Sequence, residues 1–320
     1  MYYKFFGLEK NPFDIHPDPK FLYLSDKHRE ALSHLTYCVL MQKPFLMLTG
    51  DVGVGKTTIL NYFIASLRKK NNILVIPFLN PRLSLEEFYA VLAAELKIPQ
   101  ANKKAHFLLS FRQILHKLVE KGRTLVLIFD ECQAASVELL EELRLISNLA
   151  EGGKGLIIIL VGQPELENKL ECAELYALKQ RITYKYHLGP FESPEDVSQY
   201  LITRILRAGS PKTKIFTEGA IELIYRYSKG VPRLINILAD HSLLTAYLKE
   251  QAVVDEDVVK ECLPEVKHLL EDIPLKGSPN TRLAPKIGKK WLLIIILILS
   301  IIILLWFYRH QIPLGEEFFG

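Results

Sequence analysis

Gly50-Asp51-Val52-Gly53-Val54-Gly55-Lys56-Thr57-Thr58 follows directly on the apolar run Phe45-Leu46-Met47-Leu48-Thr49. This is the stretch that most restricts the fold. The G-x-x-x-x-G-K-[ST] spacing marks a phosphate-binding loop, which needs a strand before it and a helix after it. Gly50, Gly53 and Gly55 let the backbone turn and approach an anion closely. Successive N–H groups from Asp51, Val52 and Val54 through Thr58, with the start of the next helix, then form an anion cradle. Lys56 is placed to reach the β- and γ-phosphates, and the Thr57 hydroxyl to bind Mg²⁺. The loop makes ATP and Mg²⁺ the expected ligands.

A second stretch completes the first. Leu125 to Glu131 reads L-V-L-I-F-D-E. Its unbroken apolar run predicts a parallel strand buried on both faces. Asp130 then sits at the carboxyl end of that strand, where α/β sheets bind ligands. Its carboxylate suits Mg²⁺, directly or through water. Glu131 is the candidate general base that polarises the attacking water. A structural alternative is an acidic pair that caps a following helix, Ser136 to Asn148. The phosphate loop weighs against it, because the two sites need each other.

Between Phe45 and Leu188, strands and helices alternate. The expected strands are Phe45–Thr49, Ile73–Leu79, Thr124–Asp130, Leu156–Gly162 and Ile182–Leu188. The expected helices are Lys56–Lys70, Ser84–Leu96, Lys104–Glu120, Ser136–Asn148 and Pro164–Leu170. Alternation of this kind predicts an α/β core with a mostly parallel sheet flanked by helices. From Ser193 to Lys267 the pattern turns purely helical, with stripes at Ala220, Ile221, Leu223, Ile224, Tyr227 and at Leu234, Ile235, Leu238. The expected division is an N-terminal segment at 1–42, a nucleotide-binding core at 43–190, a helical lid at 191–270 and a linker at 271–290.

Trp291 to Tyr308 carries no charge and one small polar residue, Ser300. As a helix it would span about 27 Å, close to the thickness of a bilayer core. Trp291, Trp306 and Tyr308 stand at its ends as interfacial aromatics do. The expectation is a single transmembrane helix at 291–308 with a short tail at 309–320. Lys286, Lys289 and Lys290 precede it, which places the nucleotide core on the cytosolic side. The N-terminus lacks the pattern of a signal peptide. With 40 basic and 36 acidic residues, the charge is too balanced to argue for nucleic acid. Cys38, Cys132, Cys172 and Cys262 form no C-x-x-C pair and read as reduced thiols, Cys132 as a packed one.

A nucleotide core with a helical lid resembles the AAA+ superfamily. Further residues narrow the likeness to the ExeA/GspA family of ATPases, which serve type II secretion and have relatives in pilus and exopolysaccharide systems. These are Phe6-Gly7-Leu8, Asn11-Pro12-Phe13, Pro17-Asp18-Pro19 and Phe21-Leu22-Tyr23-Leu24 at the start. Asp130-Glu131-Cys132-Gln133 is similar to the family's D-E-A-Q run, with Cys in place of Ala. Val161-Gly162-Gln163-Pro164-Glu165-Leu166 and Gly230-Val231-Pro232-Arg233-Leu234-Ile235-Asn236 also match.

The resemblance implies further roles. Gln163 resembles the polar sensor that orients water, against a plain strand cap. Arg233 resembles the second sensor arginine, which reaches the γ-phosphate. Arg181 sits where the family places an arginine finger acting on a neighbouring subunit, with Arg144 and Arg204 as rivals. Pro12, Phe13 and Tyr23 read as core packing rather than as a nucleotide contact. The implied protein is an ATPase of the bacterial inner membrane, crossing it once, with its ATPase domain in the cytoplasm. It would form a homo-oligomer, in the shape of a ring, and serve secretion, pilus or polysaccharide-export components. Longer members carry a peptidoglycan-binding domain beyond the membrane helix. Only Arg309 to Gly320 follow it here, so peptidoglycan binding is not expected. Two other functions compete: a DNA-associated regulator of the transposition type, and a nucleotide-gated scaffold with little turnover.

Overall fold

The computed structural model describes residues 2–14, 21–98, 104–212 and 214–271. The predicted membrane helix at 291–308, the tail and all but the first residue of the linker lie outside the described residues, as does Pro17-Asp18-Pro19. Among the described residues, no helix is long and apolar enough to cross a membrane.

The elements run α1 (Tyr2–Phe5), α2 (Asp26–Leu40), β1 (Phe45–Gly50), α3 (Lys56–Arg68), β2 (Ile73–Phe78), α4 (Leu85–Leu96) and α5 (Lys104–Glu120). There follow β3 (Thr124–Phe129), α6 (Val137–Ser147), β4 (Leu156–Gly162), α7 (Glu165–Lys169), α8 (Tyr176–Arg181) and β5 (Tyr184–Leu188). Four helices end the described chain: α9 (Pro194–Arg207), α10 (Glu218–Ser228), α11 (Pro232–Leu248) and α12 (Glu256–Glu271).

The five strands form one parallel sheet in the order β2-β3-β4-β1-β5. Every residue of β1, β3 and β4 is buried. Such strands need cover on both faces, and alternation along the backbone splits their side chains between two cores. Phe45, Met47, Leu125, Leu127, Phe129, Ile158 and Leu160 point to one face, under α4, α5 and α6. Leu46, Leu48, Val126, Ile128, Ile157, Ile159 and Val161 point to the other, under α2 and α3. Helix α2 therefore shares a layer with α3. Pro77 is tolerated in β2 because that strand is an edge and its missing N–H costs no central ladder bond.

Predicted and observed elements differ at their caps and by the short helix α8, which the sequence reading did not expect. Ser84 caps α4 with its Oγ accepting from Glu87 N–H, while the Glu87 carboxylate accepts from Ser84 N–H. Ser136 caps α6 in the same way by accepting from Leu139 N–H. The acidic pair 130–131 is therefore not the cap of that helix. Strand β5 starts at Tyr184 and not at Ile182, because the Ile182 N–H closes α8 on the Leu178 and Lys179 carbonyls.

Helices α9 to α12 pack together after the sheet. Ser193 and Thr217 cap α9 and α10, and Pro232 opens α11 at a position where a missing N–H is harmless. Residues 2–14 lie against these helices: Glu9 N–H donates to Ala208 O at 2.8 Å and Ser210 Oγ to Phe6 O at 3.1 Å. Gly230, at φ +76°, brings the start of α11 onto the Phe191 backbone, where a Cβ would meet Phe191 O at 2.1 Å.

Candidate nucleotide site

Three adjacent strands, β3, β4 and β1, end side by side, and each carboxyl end carries a predicted site group. β1 runs into the Gly50–Gly55 loop, β3 into Asp130-Glu131, and β4 into Gln163. This is the edge of a parallel sheet at which α/β folds bind ligands. A cavity of ≈ 380 Å³ opens there.

The loop has the required geometry. Gly53 and Gly55 stand at φ +83° and +103°, conformations that L side chains rarely adopt. Gly55 is the N-cap of α3, so the first N–H groups of that helix have no side-chain cap and remain for an anion. Val52, Gly53, Gly55, Lys56, Thr57 and Thr58 line the cavity. Gly50, Asp51 and Val54 are buried beside it. A Cβ on Gly50 would meet Leu188 O at 2.5 Å, which explains glycine at that position.

Lys56 is 5% exposed and folds back over its own loop, donating to Gly50 O at 2.7 Å and Asp51 O at 2.9 Å. Burial pushes its ammonium below the ordinary value, and the Glu131, Asp130 and Asp51 carboxylates oppose that shift. Thr57 Oγ1 donates to Asp130 Oδ2 at 3.0 Å, and Glu131 N–H to Asp130 Oδ1 at 2.9 Å. Burial nevertheless holds the Asp130 carboxyl above the usual range. A buried carboxylate beside a hydroxyl, both hard oxygen donors, fits Mg²⁺, whose charge would offset that desolvation.

Glu131 has a left-handed backbone, φ 54° and ψ 35°. That conformation costs about 1 kcal/mol or more for a residue with a Cβ. Its carboxylate Oε2 accepts from Gln133 Nε2 at 2.5 Å and from Gln163 Nε2 at 3.3 Å. Gln163 thus reaches the predicted base from the end of the neighbouring strand. Cys132 is fully buried, and its thiol is pushed up by that burial, in line with a packing role.

The other cavity wall comes from the N-terminal segment and the end helices. Arg233 is exposed near the start of α11; its N–H donates to Gly53 O at 3.2 Å, and its Cβ leaves no room for a Cβ on Gly53. Phe21, Tyr23, His28, Phe191 and Tyr200 make an aromatic end. Tyr23, expected in the core, thus faces the cavity, whereas Phe13 is packed at 1% exposure. His28 touches the loop directly: its Nε2 would lie 3.0 Å from a Cβ on Gly55, and its Nδ1 pairs with Ser25 Oγ at 2.6 Å. Burial pushes its pKa down to about 4. Arg204, a rival for the arginine finger, is buried in the same cavity wall and donates to the carbonyls of Pro12 and Asp14. A finger on a neighbouring subunit must be presented outward, which that placement does not do. Arg144 is tied to Glu141 at 2.5 Å on its own helix. Arg181 lies outside the residues that line this cavity, with one guanidinium nitrogen donating to Ser147 Oγ at 2.7 Å.

Comparison with known proteins agrees with this geometry. The chain is 40% identical over 253 residues to general secretion pathway protein A of Aeromonas hydrophila, a match that spans 78% of this chain and 45% of that relative. A family profile described as an AAA domain matches residues 39–170. This chain carries an AAA domain and is homologous to general secretion pathway protein A. It spans less than half the length of that relative. Among solved structures, the ORC2 protein of Aeropyrum pernix, described in ADPNP-ADP complexes, shares the fold at 19% identity and a TM-score of 0.58, over 83% of this chain and 75% of that one. Cdc6p of Pyrobaculum aerophilum does so at 17% identity and a TM-score of 0.56, over 80% and 74%. At such identity the likeness shows the α/β fold with its five-stranded parallel sheet and nothing about partners.

Of the residues singled out from the sequence, the structure places most of the loop, Glu131, Gln163 and Arg233 on the cavity wall, with Asp130 behind Thr57. Sequence reasoning missed Phe21, His28, Tyr200 and Asn236 as cavity residues and Gln133 as a partner of Glu131. Gln133, Phe21 and Asn236 stood inside the quoted motifs; His28 and Tyr200 carried no local signal.

Proposed function

We propose that the chain is a membrane-anchored ATPase that binds and hydrolyses ATP-Mg as an oligomer and supports assembly of a bacterial envelope machine. The carrying observation is the convergence of Lys56, the Thr57–Asp130 pair, Glu131 and Gln163 at three adjacent strand ends beside one cavity. In this reading the Gly50–Thr58 loop holds the phosphates, and Lys56 leaves its two loop carbonyls for phosphate oxygens. Thr57 and Asp130 hold Mg²⁺, which when bound neutralises charge on the phosphates. Glu131 takes a proton from the attacking water, Gln163 orients that water, and Arg233 reports the γ-phosphate to the end helices. Arg181 completes the site of a neighbouring subunit, where its guanidinium stabilises transition-state charge.

The division into an N-terminal segment, core, lid and linker belongs to the same proposal. So does insertion of 291–308 in the inner membrane with the core in the cytoplasm. The name of the 40% identical relative favours secretion among the envelope machines. Purified full-length protein should show activity per subunit that rises with concentration, and Arg181→Ala should remove that rise while sparing ATP binding. A flat concentration dependence with a harmless Arg181→Ala would count against the shared site. Cross-linking of Glu131→Gln in native membranes should recover secretion, pilus or export components; recovery of DNA or transposition proteins would support the rival function.

A further inference from the structure

The residue that fixes Glu131 is not part of the phosphate loop, the metal pair or the candidate arginines. Gln133 lies on the short 3-10 turn Cys132–Ala134 and uses its whole amide. Its Nε2 donates to Glu131 Oε2 at 2.5 Å, and its Oε1 accepts from Gln163 N–H at 3.0 Å. The two bonds fix the amide orientation, since a carboxylate demands the NH₂ and a backbone N–H demands the oxygen. The turn is itself held: Lys169 Nζ donates to Gln133 O at 2.6 Å and to Ala135 O at 2.7 Å. Gly162, the last residue of β4, makes room for the bridge, because a Cβ there would meet Gln133 Oε1 at 2.9 Å.

We infer that Gln133 is a positioning residue, which ties the Glu131 carboxylate to the carboxyl end of β4 and so sets the general base for hydrolysis. This rests on the hydrolytic reading proposed above. Two features support it. Both amide bonds to Glu131 fall on Oε2, which leaves Oε1 as the oxygen for water. Two donors occupy the lone pairs of Oε2, so an incoming water meets the carboxylate most readily at Oε1. The left-handed backbone at Glu131 is also a strained conformation that persists where surrounding contacts over-determine it, and Gln133 and Gln163 supply them. The bridge has a further reach. Helix α7 begins just beyond Gln163, and its Glu167 accepts from Thr49 Oγ1 at 2.8 Å at the end of β1. The base is therefore indexed to the same strand ends that carry the phosphate loop.

The test is steady-state ATP turnover with separate nucleotide-binding titrations, on the full-length chain in detergent. Gln133→Ala should lower kcat by about 10- to 100-fold, as loss of base positioning does. ATP affinity should stay within about twofold. Gln133→Asn, one methylene shorter, should fail to restore kcat. In a Glu131→Gln background, Gln133→Ala should add no further loss, because a group that acts through Glu131 has nothing left to position. Unchanged kcat in Gln133→Ala would overturn the inference. So would kcat and ATP affinity falling together with thermal stability, the mark of a merely structural role. Wild-type turnover no greater than that of Glu131→Gln would sink the hydrolytic reading, and this inference with it, and is distinguishable from both.

Discussion

The two ends of the cavity are built in opposite ways. At the phosphate end, the groups are consecutive in sequence or sit at the tips of neighbouring buried strands: Gly50 to Thr58, Asp130-Glu131 and Gln163. At the aromatic end, Phe21, Tyr23 and His28 meet Phe191, Tyr200, Arg204 and Asn236 from the far side of the chain. The first is carried by a sheet packed on both faces, which tolerates little displacement. The second is assembled from a helix start, a connecting segment and two end helices. The proposed chemistry thus stands on a rigid frame, while the rest of the cavity depends on how the end helices meet it. The junction is small: the Arg233 N–H on Gly53 O, Gly53 against the Arg233 side chain, and His28 against Gly55.

The largest effect should come from the rigid end. Lys56→Ala removes the buried cation and should cut turnover at least about 100-fold, in the range seen when one preorganised donor to transition-state charge is lost. Measured in the same ATPase assay, turnover within a few-fold of wild type would mean that the phosphate end is not where the chemistry sits. Arg204→Ala should instead act on the assembled end. It leaves the Pro12 and Asp14 carbonyls without their buried donor, and about 3 kcal/mol of stability should go. Urea denaturation would read this, and an unchanged midpoint would make the aromatic end incidental to folding.

A smaller effect follows from His28, whose pKa falls from 6.5 to about 4 on folding. The folded pKa is depressed, so the neutral form is favoured by folding. That contribution is complete above pH 6.5 and drains away as pH falls towards 4. The wild type should lose about 2 kcal/mol between pH 7.5 and pH 5 from this group alone. His28→Gln should flatten that part of the urea midpoint's pH dependence; an identical slope in both proteins would contradict a buried neutral His28. Smallest, Gly53→Ala puts a Cβ at φ +83° and 2.7 Å from the Arg233 Cβ, at a cost of about 1–2 kcal/mol. Limited proteolysis should then show the α10–α11 connection opening before the sheet does. Simultaneous cleavage would mean that the junction does not separate the two regions.

The same division explains what could be read from the amino-acid sequence. The fully buried β1, β3 and β4 announce themselves as apolar runs, and the loop and acidic pair are contiguous, so fold class and phosphate end were legible. Tyr23 and Arg204 were not, because their roles arise from contacts between distant parts of the chain: the guanidinium of Arg204 meets the carbonyl of Pro12, 192 residues earlier. The sharing of one layer by α2 and α3 was hidden too, since the aromatic and proline-rich composition before Gln42 carries no trace of which sheet face it covers. Strand β5 was predicted too long because Ile182 is as apolar as a strand residue but serves to close α8.

Glu131→Gln tests the central claim most directly, by nucleotide binding and turnover on one preparation. The account predicts ATP-Mg binding close to wild type with turnover lowered by about 100-fold or more, since the amide keeps the shape of the carboxylate and loses its basicity. Turnover that persists at the wild-type rate would contradict it, and would move the general base elsewhere in the cavity.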